Sequence, residues 1–271
     1  FSEPVMADPP LTPKLKLSGI YSEDLEFTLD NLTGEGSHVV KGGDGIITIE
    51  VTGMQDFAGN AIDKTPVTIK QFQVDNTAPI LKSATMSSSN PFNDLAKPGD
   101  NLTLSVQSNE PLQSVSMTVD GKEMVVQGTG TAWQGRLVTD QRIQEGNLNL
   151  SVVMTDLAGN TSSSYSETTD SSKVLFDKTP PSGSFRKIFS DWNSNDNRTQ
   201  VRLNLSATDN SSSEHSKLGG WLIKENDNLT PSISDNWTSV SPSSVLSDNI
   251  TFALNQTSGS RVLYAWYRDR A

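Results

Sequence analysis

Acidic residues beside turn-forming neighbours recur along this chain at a nearly constant spacing. Asp56-Phe57-Ala58-Gly59-Asn60 returns 100 residues later as Asp156-Leu157-Ala158-Gly159-Asn160, and Asp269-Arg270-Ala271 begins the pattern again 113 residues after that. Val74-Asp75-Asn76-Thr77-Ala78-Pro79 returns as Phe176-Asp177-Lys178-Thr179-Pro180-Pro181. Phe1-Ser2-Glu3-Pro4 is echoed by Ser108-Asn109-Glu110-Pro111, and Ala207-Thr208-Asp209-Asn210 takes its place in a third unit. Carboxylates, amides and carbonyls are hard oxygen donors, the set from which Ca²⁺ draws its six to eight ligands. The candidate metal ligands are Asp75, Asn76, Glu110 and Asp156 in one set and Asp177, Asp209 and Asp269 in the next, with Glu3 and Asp56 left from a first set. The same residues have a second, metal-free reading. Asp and Asn cap tight turns, Gly159 supplies a positive φ, and Pro79 stiffens a linker.

Other chemistries find little footing. The chain has no Cys, which excludes a disulfide framework, thiolate metal sites and Cys nucleophiles. Its two His, His38 and His215, lie in different units, against a Ser-His-Asp triad or a His-based metal site. Gly42-Gly43-Asp44-Gly45 reads as a turn and not a phosphate loop, because no Lys-Ser/Thr and helix follow. The acidic residues that can be placed fall in turns or linkers, which speaks against a glycosidase pair. We expect no catalytic residues and no enzyme. Trp266 lies on a predicted strand and is expected in a core, whereas Trp192, Trp221 and Trp237 crowd an irregular stretch and keep a sugar-stacking platform open. Eleven Asn-x-Ser/Thr sequons are present, at Asn31, Asn101, Asn149, Asn160, Asn197, Asn204, Asn210, Asn228, Asn236, Asn249 and Asn255. They fit an N-glycosylated surface protein, or arise incidentally in a chain rich in Ser, Thr and Asn.

The elements that must position the acids read as short strands. Leu102–Val106, Leu148–Val152 and Val201–Ala207 alternate apolar and polar residues with period two. Val115–Val119 runs into Asp120-Gly121, a type I′ hairpin signal, with Lys122 to Val126 as its return strand. Ile46–Val51 and Val262–Tyr267 add further strands, and no run has a helical period. Counted back from Asp56, the apolar positions are one out of phase with those before Asp156, and Gly53 is the expected bulge. About seven short strands per hundred residues match an all-β fold of tandem immunoglobulin-like β-sandwiches without disulfides. The three markers divide the chain into repeats 1–75, 76–177 and 178–271. The first is expected to lack its opening strands and the third its last strand, as in a segment of a longer array.

Asp-x-Ala-Gly-Asn, a strand, then Val-Asp-Asn-Thr-Ala-Pro resembles the bacterial immunoglobulin-like repeats of large surface adhesins and other extracellular multidomain proteins. The resemblance covers nearly the whole chain and is weakest between residues 190 and 249. It implies a stalk or spacer role at the cell surface or outside the cell. In such a sandwich the loop between the last two strands, the loop between the second and third, and the incoming linker share one end. Asp75, Glu110 and Asp156 are therefore expected to meet, and Asp177, Asp209 and Asp269 likewise. A similarity to cadherin-type linkers points to Ca²⁺ there.

Length and charge agree. A chain of 271 residues suggests two or three domains. A net charge of −11 opposes phosphate backbones and anionic lipid, so no nucleic-acid partner is expected. No stretch reaches the length of a membrane span, so no insertion is expected. The first residues lack the basic and apolar regions of a signal peptide. The expected partners are neighbouring repeats of the same chain, with neighbouring copies in a lattice or filament, or surface glycans, as further readings. A self-assembling surface-layer subunit and a carbohydrate-binding accessory module are the alternative functions.

Overall fold

A computed structural model describes residues 4–7, 14–25, 27–30, 33–61, 67–188, 199–209, 216–255 and 260–271. These residues form strands and turns, with no helix among them. Contacts divide the chain into two compact units: Phe1–Ile80 with Glu110–Ser114 and Met154–Ser162, and Leu81–Asn109 with Val115–Val153 and Ser163–Ala271.

In the first unit, four strands pair in the order Glu23–Leu25, Lys14–Gly19, Gly45–Thr52, Val67–Val74. Gly53, at φ 73°, ends the third of these, and the chain resumes as Met54–Asp56, paired antiparallel with Val5–Ala7. The expected irregularity is therefore a handover from one strand partner to another. It restores the phase, so that Met54 is buried two residues before Asp56 just as Met154 is buried two before Asp156. Val5, Val51 and Met54 form the local core, with Leu15 and Phe27 against it.

Residues 81–271 contain two sets of sheets. In the first, Val125–Thr129, Ala132–Val138, Asn101–Ser108 and Leu81–Ser88 lie side by side in that order. A second sheet has Leu112–Val119 between Lys122–Glu123 and Leu150–Asp156. The alternation in Asn101–Ser108 buries Leu102, Leu104 and Val106 together on one face. The sulfurs of Met117 and Met124 close over Gly135, where an added Cβ would sit 2.7 and 3.0 Å from them. That contact joins the two sheets across a core.

The hairpin at Asp120-Gly121 has φ of 46° and 74°, as a type I′ turn requires. The return strand differs from expectation. It pairs only over Lys122–Glu123, and Val125–Thr129 joins the opposite sheet. Met124, 7% exposed, is the pivot, because its side chain is drawn into the core between the sheets. The strand expected at Leu148 begins at Leu150, since Asp120 already holds the N–H of Asn149 at 2.9 Å.

The second set repeats this order: Ser182–Lys187, Gln200–Thr208, Val245–Ala253 in one sheet, and Thr238–Ser243, Leu218–Glu225, Leu263–Asp269 in the other. Val201, Leu203, Leu205 and Ile223 are its buried centre. The tryptophans divide differently from expectation. Trp221 packs against that centre together with Leu263, Ala265 and Tyr267. Trp266 falls between Ala265 and Tyr267 and so alternates to the other face, with its indole nitrogen buried and without a hydrogen-bond acceptor among the described residues. Trp192 lies outside the described residues.

Candidate metal centre

The turn Asp156–Asn160 builds itself. The Asp156 Oδ1 accepts the N–H groups of Ala158 and Asn160 at 2.8 and 2.9 Å, and Oδ2 accepts the Asn160 amide at 2.9 Å. Gly159, at φ 96°, lets the chain double back so that the Asp156 N–H reaches the Asn160 carbonyl at 3.0 Å. Asp56–Asn60 reproduces the turn, with Gly59 at φ 89° and the Asn60 N–H and amide on Asp56 at 2.8 and 2.7 Å. These donors, the Asn60 side chain foremost, hold the Asp56 carboxyl below its ordinary value. Burial acts to raise Asp156, which is 1% exposed, but the donors of Asn160, Ala158 and Gly159 outweigh it and keep the group ionised.

The linkers are also built twice. Asp75 Oδ1 accepts the Thr77 N–H at 3.1 Å, and Asp177 Oδ1 accepts the Thr179 N–H at 3.0 Å. A second carboxylate clamps each linker from outside. Asp44 takes the Asn76 N–H at 2.6 Å and the Thr77 hydroxyl, and Glu145 takes the Lys178 N–H at 3.1 Å and the Thr179 hydroxyl at 2.5 Å. Both clamps titrate below their ordinary values, Asp44 through Thr77 and Asn76, Glu145 through Thr179. Sequence reasoning missed them, reading Asp44 only as part of a turn. A signal was present: each is an acid followed by a positive-φ glycine, Gly45 or Gly146, 31 or 32 residues ahead of the linker aspartate.

Asp75, Glu110 and Asp156 each offer a carboxylate oxygen, and the three oxygens lie within 4.8 Å of one another. The Asn160 amide bridges this group, donating to the Asp75 carbonyl at 3.1 Å as well as to Asp156. All these residues belong to the first unit. Asn76 is engaged elsewhere, its N–H on Asp44 and its side-chain nitrogen over Gly42. Asp56 occupies its own turn, and Glu3 lies outside the described residues.

In the second set, Asp177 and Asp209 are buried at 4% and 3% exposure, and Asp269 closes the strand opposite Leu218. Asp269 is pushed up to about 7, first by burial and then by the charges of Asp177 and Asp209. Burial likewise raises Asp177, with Asp209 and Glu145 adding to it. The three acids sense one another, yet among the described residues only the first set is gathered within 4.8 Å. The alignment of Asp209 with Glu110 needs correction. Glu110 lies two residues before its strand, Leu112–Val119, and the residue two before Leu218 is Ser216. Ser216 is fully buried and donates to Asp177 Oδ2, so a hydroxyl stands where the other repeat has a carboxylate. More residues separate Asp209 from Ser216 than separate Asn109 from Glu110, which hid this from the sequence.

His38 stands 3.5 Å from Glu23 and against the Tyr21 ring, and His215 lies outside the described residues. Of the sequons, Asn101, Asn149, Asn228, Asn236, Asn249 and Asn255 are exposed. Asn160 is committed to Asp156 and Asp75, and Asn204 donates to Asn249 at 2.9 Å. Asn31, Asn197 and Asn210 lie outside the described residues. Comparison of the chain with protein-family models and with curated proteins gives no match.

Proposed function

We propose that the chain is a non-catalytic stalk or spacer segment of a large cell-surface or secreted, adhesin-like protein, built of tandem immunoglobulin-like repeats over 1–75, 76–177 and 178–271 and stiffened by Ca²⁺ at its aspartate-bearing linkers. The strand orders support the repeat. Lettered in chain order, the middle segment has A-B-E-D in one sheet and C′-C-F in the other, the arrangement of an immunoglobulin sandwich. Residues 182–269 have A-B-E and C′-C-F, and the first unit has C′-C-F-G. The last two orders are each contained in the full arrangement.

The convergence of Asp75, Glu110 and Asp156 within 4.8 Å carries the metal reading. Three carboxylates at that spacing repel, and a hard divalent cation removes the repulsion while taking oxygen ligands the site already holds, the carboxylates first. Asp75 belongs to the linker, Glu110 to the loop before one strand and Asp156 to the end of another, so a shared cation ties the linker to the sandwich that follows. Calorimetric titration of the chelator-treated chain with Ca²⁺ tests this. We expect a saturating heat and a higher melting temperature, both reduced in Glu110→Gln. The absence of both heat and stabilisation would refute the metal reading.

A further inference from the structure

A groove of about 810 Å³ lies within the second unit, and two arginines define it. Arg268 and Arg270 are two residues apart at the end of one strand and so share a face, opposite Asp269. The Arg268 guanidinium lies 4.7 Å over the Trp237 ring and that of Arg270 lies 4.1 Å over Phe92. Two glycines make room for them. A Cβ on Gly220 would stand 3.3 Å from Arg268 Nε, and one on Gly219 3.0 Å from Arg270 Cγ. Gly220 pairs with Arg268 on one side and Ser239 on the other, so the arginine crosses a strand that has no side chain there to reach Trp237. A guanidinium held over a ring still has N–H donors to offer, and two of them in parallel receive a carboxylate. Among the described residues Arg268 has no carboxylate partner, an unusual state in a chain of net charge −11.

The wall is rich in proline: Pro91, Pro98, Pro180, Pro181, Pro231 and Pro242 all line it. Proline has no N–H, so these stretches cannot pair with an incoming peptide strand, whereas their rings, with Trp237 and Phe92, offer C–H and π surface to a pyranose. Two acids line the groove: Asp177 accepts hydrogen bonds from Thr179 and Ser216, and Asp269 lies near enough to Asp177 and Asp209 to feel their charges.

We propose that this groove binds a carboxylate-bearing sugar of the uronic acid class, with Arg268 on the carboxylate and the proline and aromatic wall on the ring. This does not depend on calcium at Asp75, Glu110 and Asp156, none of which lines the groove, although Asp177 and Asp269 of the second acidic set do. The test is an NMR titration of the full 271-residue chain with a short oligogalacturonate, its methyl ester and polyglutamate as probes. The expected result is a shift of the Trp237 indole resonance with the acid, binding of the ester weaker by about tenfold or more, and loss of that difference in Arg268→Gln. The circular dichroism of the variant should match that of the parent, and Arg268→Lys, which keeps charge without the fork, should recover part of the affinity. Equal binding of acid and ester, equal or stronger binding of polyglutamate, an unchanged preference in Arg268→Gln, or no binding at millimolar ligand would each overturn the proposal.

Discussion

At the scale of single residues, the same chemical type plays opposite parts according to its donors. Asp156 is almost wholly buried yet ionised, because three nitrogens point at its carboxylate. Asp269 is held near 7 because burial and two neighbouring acids act on it with little compensation. Its proton linkage has a definite sign. The unfolded group releases its proton near 3.8 and the folded group near 7, so the folded state binds more protons between those values. In chelator, stability should therefore fall as pH rises from about 4 to about 7. The depressed carboxyls, Asp44, Asp56, Glu145 and Asp156, act in a separate window, adding stability above their unfolded values and losing it in stronger acid. Thermal melts of the parent and Asp269→Asn check this: the slope between pH 5 and 7 should flatten in the variant, and an identical slope would contradict it. The clamp makes a second claim. Glu145→Gln keeps an oxygen acceptor for Lys178 and Thr179, whereas Glu145→Leu removes it. The leucine variant should melt lower than the glutamine variant by roughly 2–4 °C.

At the scale of elements, alternation and packing set the sheets. Met117 is 1% exposed, and its sulfur closes over Gly135 of the facing sheet. Met117→Ala should cost about 2–4 kcal/mol, read as a lower urea midpoint with an unchanged slope. A midpoint shift within error would mean the sheets do not meet there. Much of this level was legible in the sequence. Asn101–Ser108 and Gln200–Thr208 carry clean period-two patterns because one face of each is core, and Asp120-Gly121 announced its turn because both positions need positive φ. The split at Met124 was not legible, since a strand that changes sheets keeps its alternation while its partner changes. Trp221, left open, and Trp266, expected in a core, both lie on strands, and only the register decides which face meets Leu203 and Leu205. Ser216 was hidden because more residues separate it from Asp209 than separate Glu110 from Asn109, which slides an alignment of acids without warning.

At the scale of the molecule, repetition is the organising fact. The same turn, linker and clamp are assembled from Asp56, Asp75 and Asp44 and again from Asp156, Asp177 and Glu145, with matching hydrogen bonds. The acids of the first set were legible from their spacing because they recur at turns and linkers, and in the fold their carboxylate oxygens come within 4.8 Å of one another. What those acids hold decides whether the linker is stiffened. A crystal structure of the chain grown with Ca²⁺ measures it most directly. We expect a density peak about 2.3–2.6 Å from carboxylate oxygens of Asp75, Glu110 and Asp156 together. Carboxylates turned away from one another with no peak among them would contradict the account.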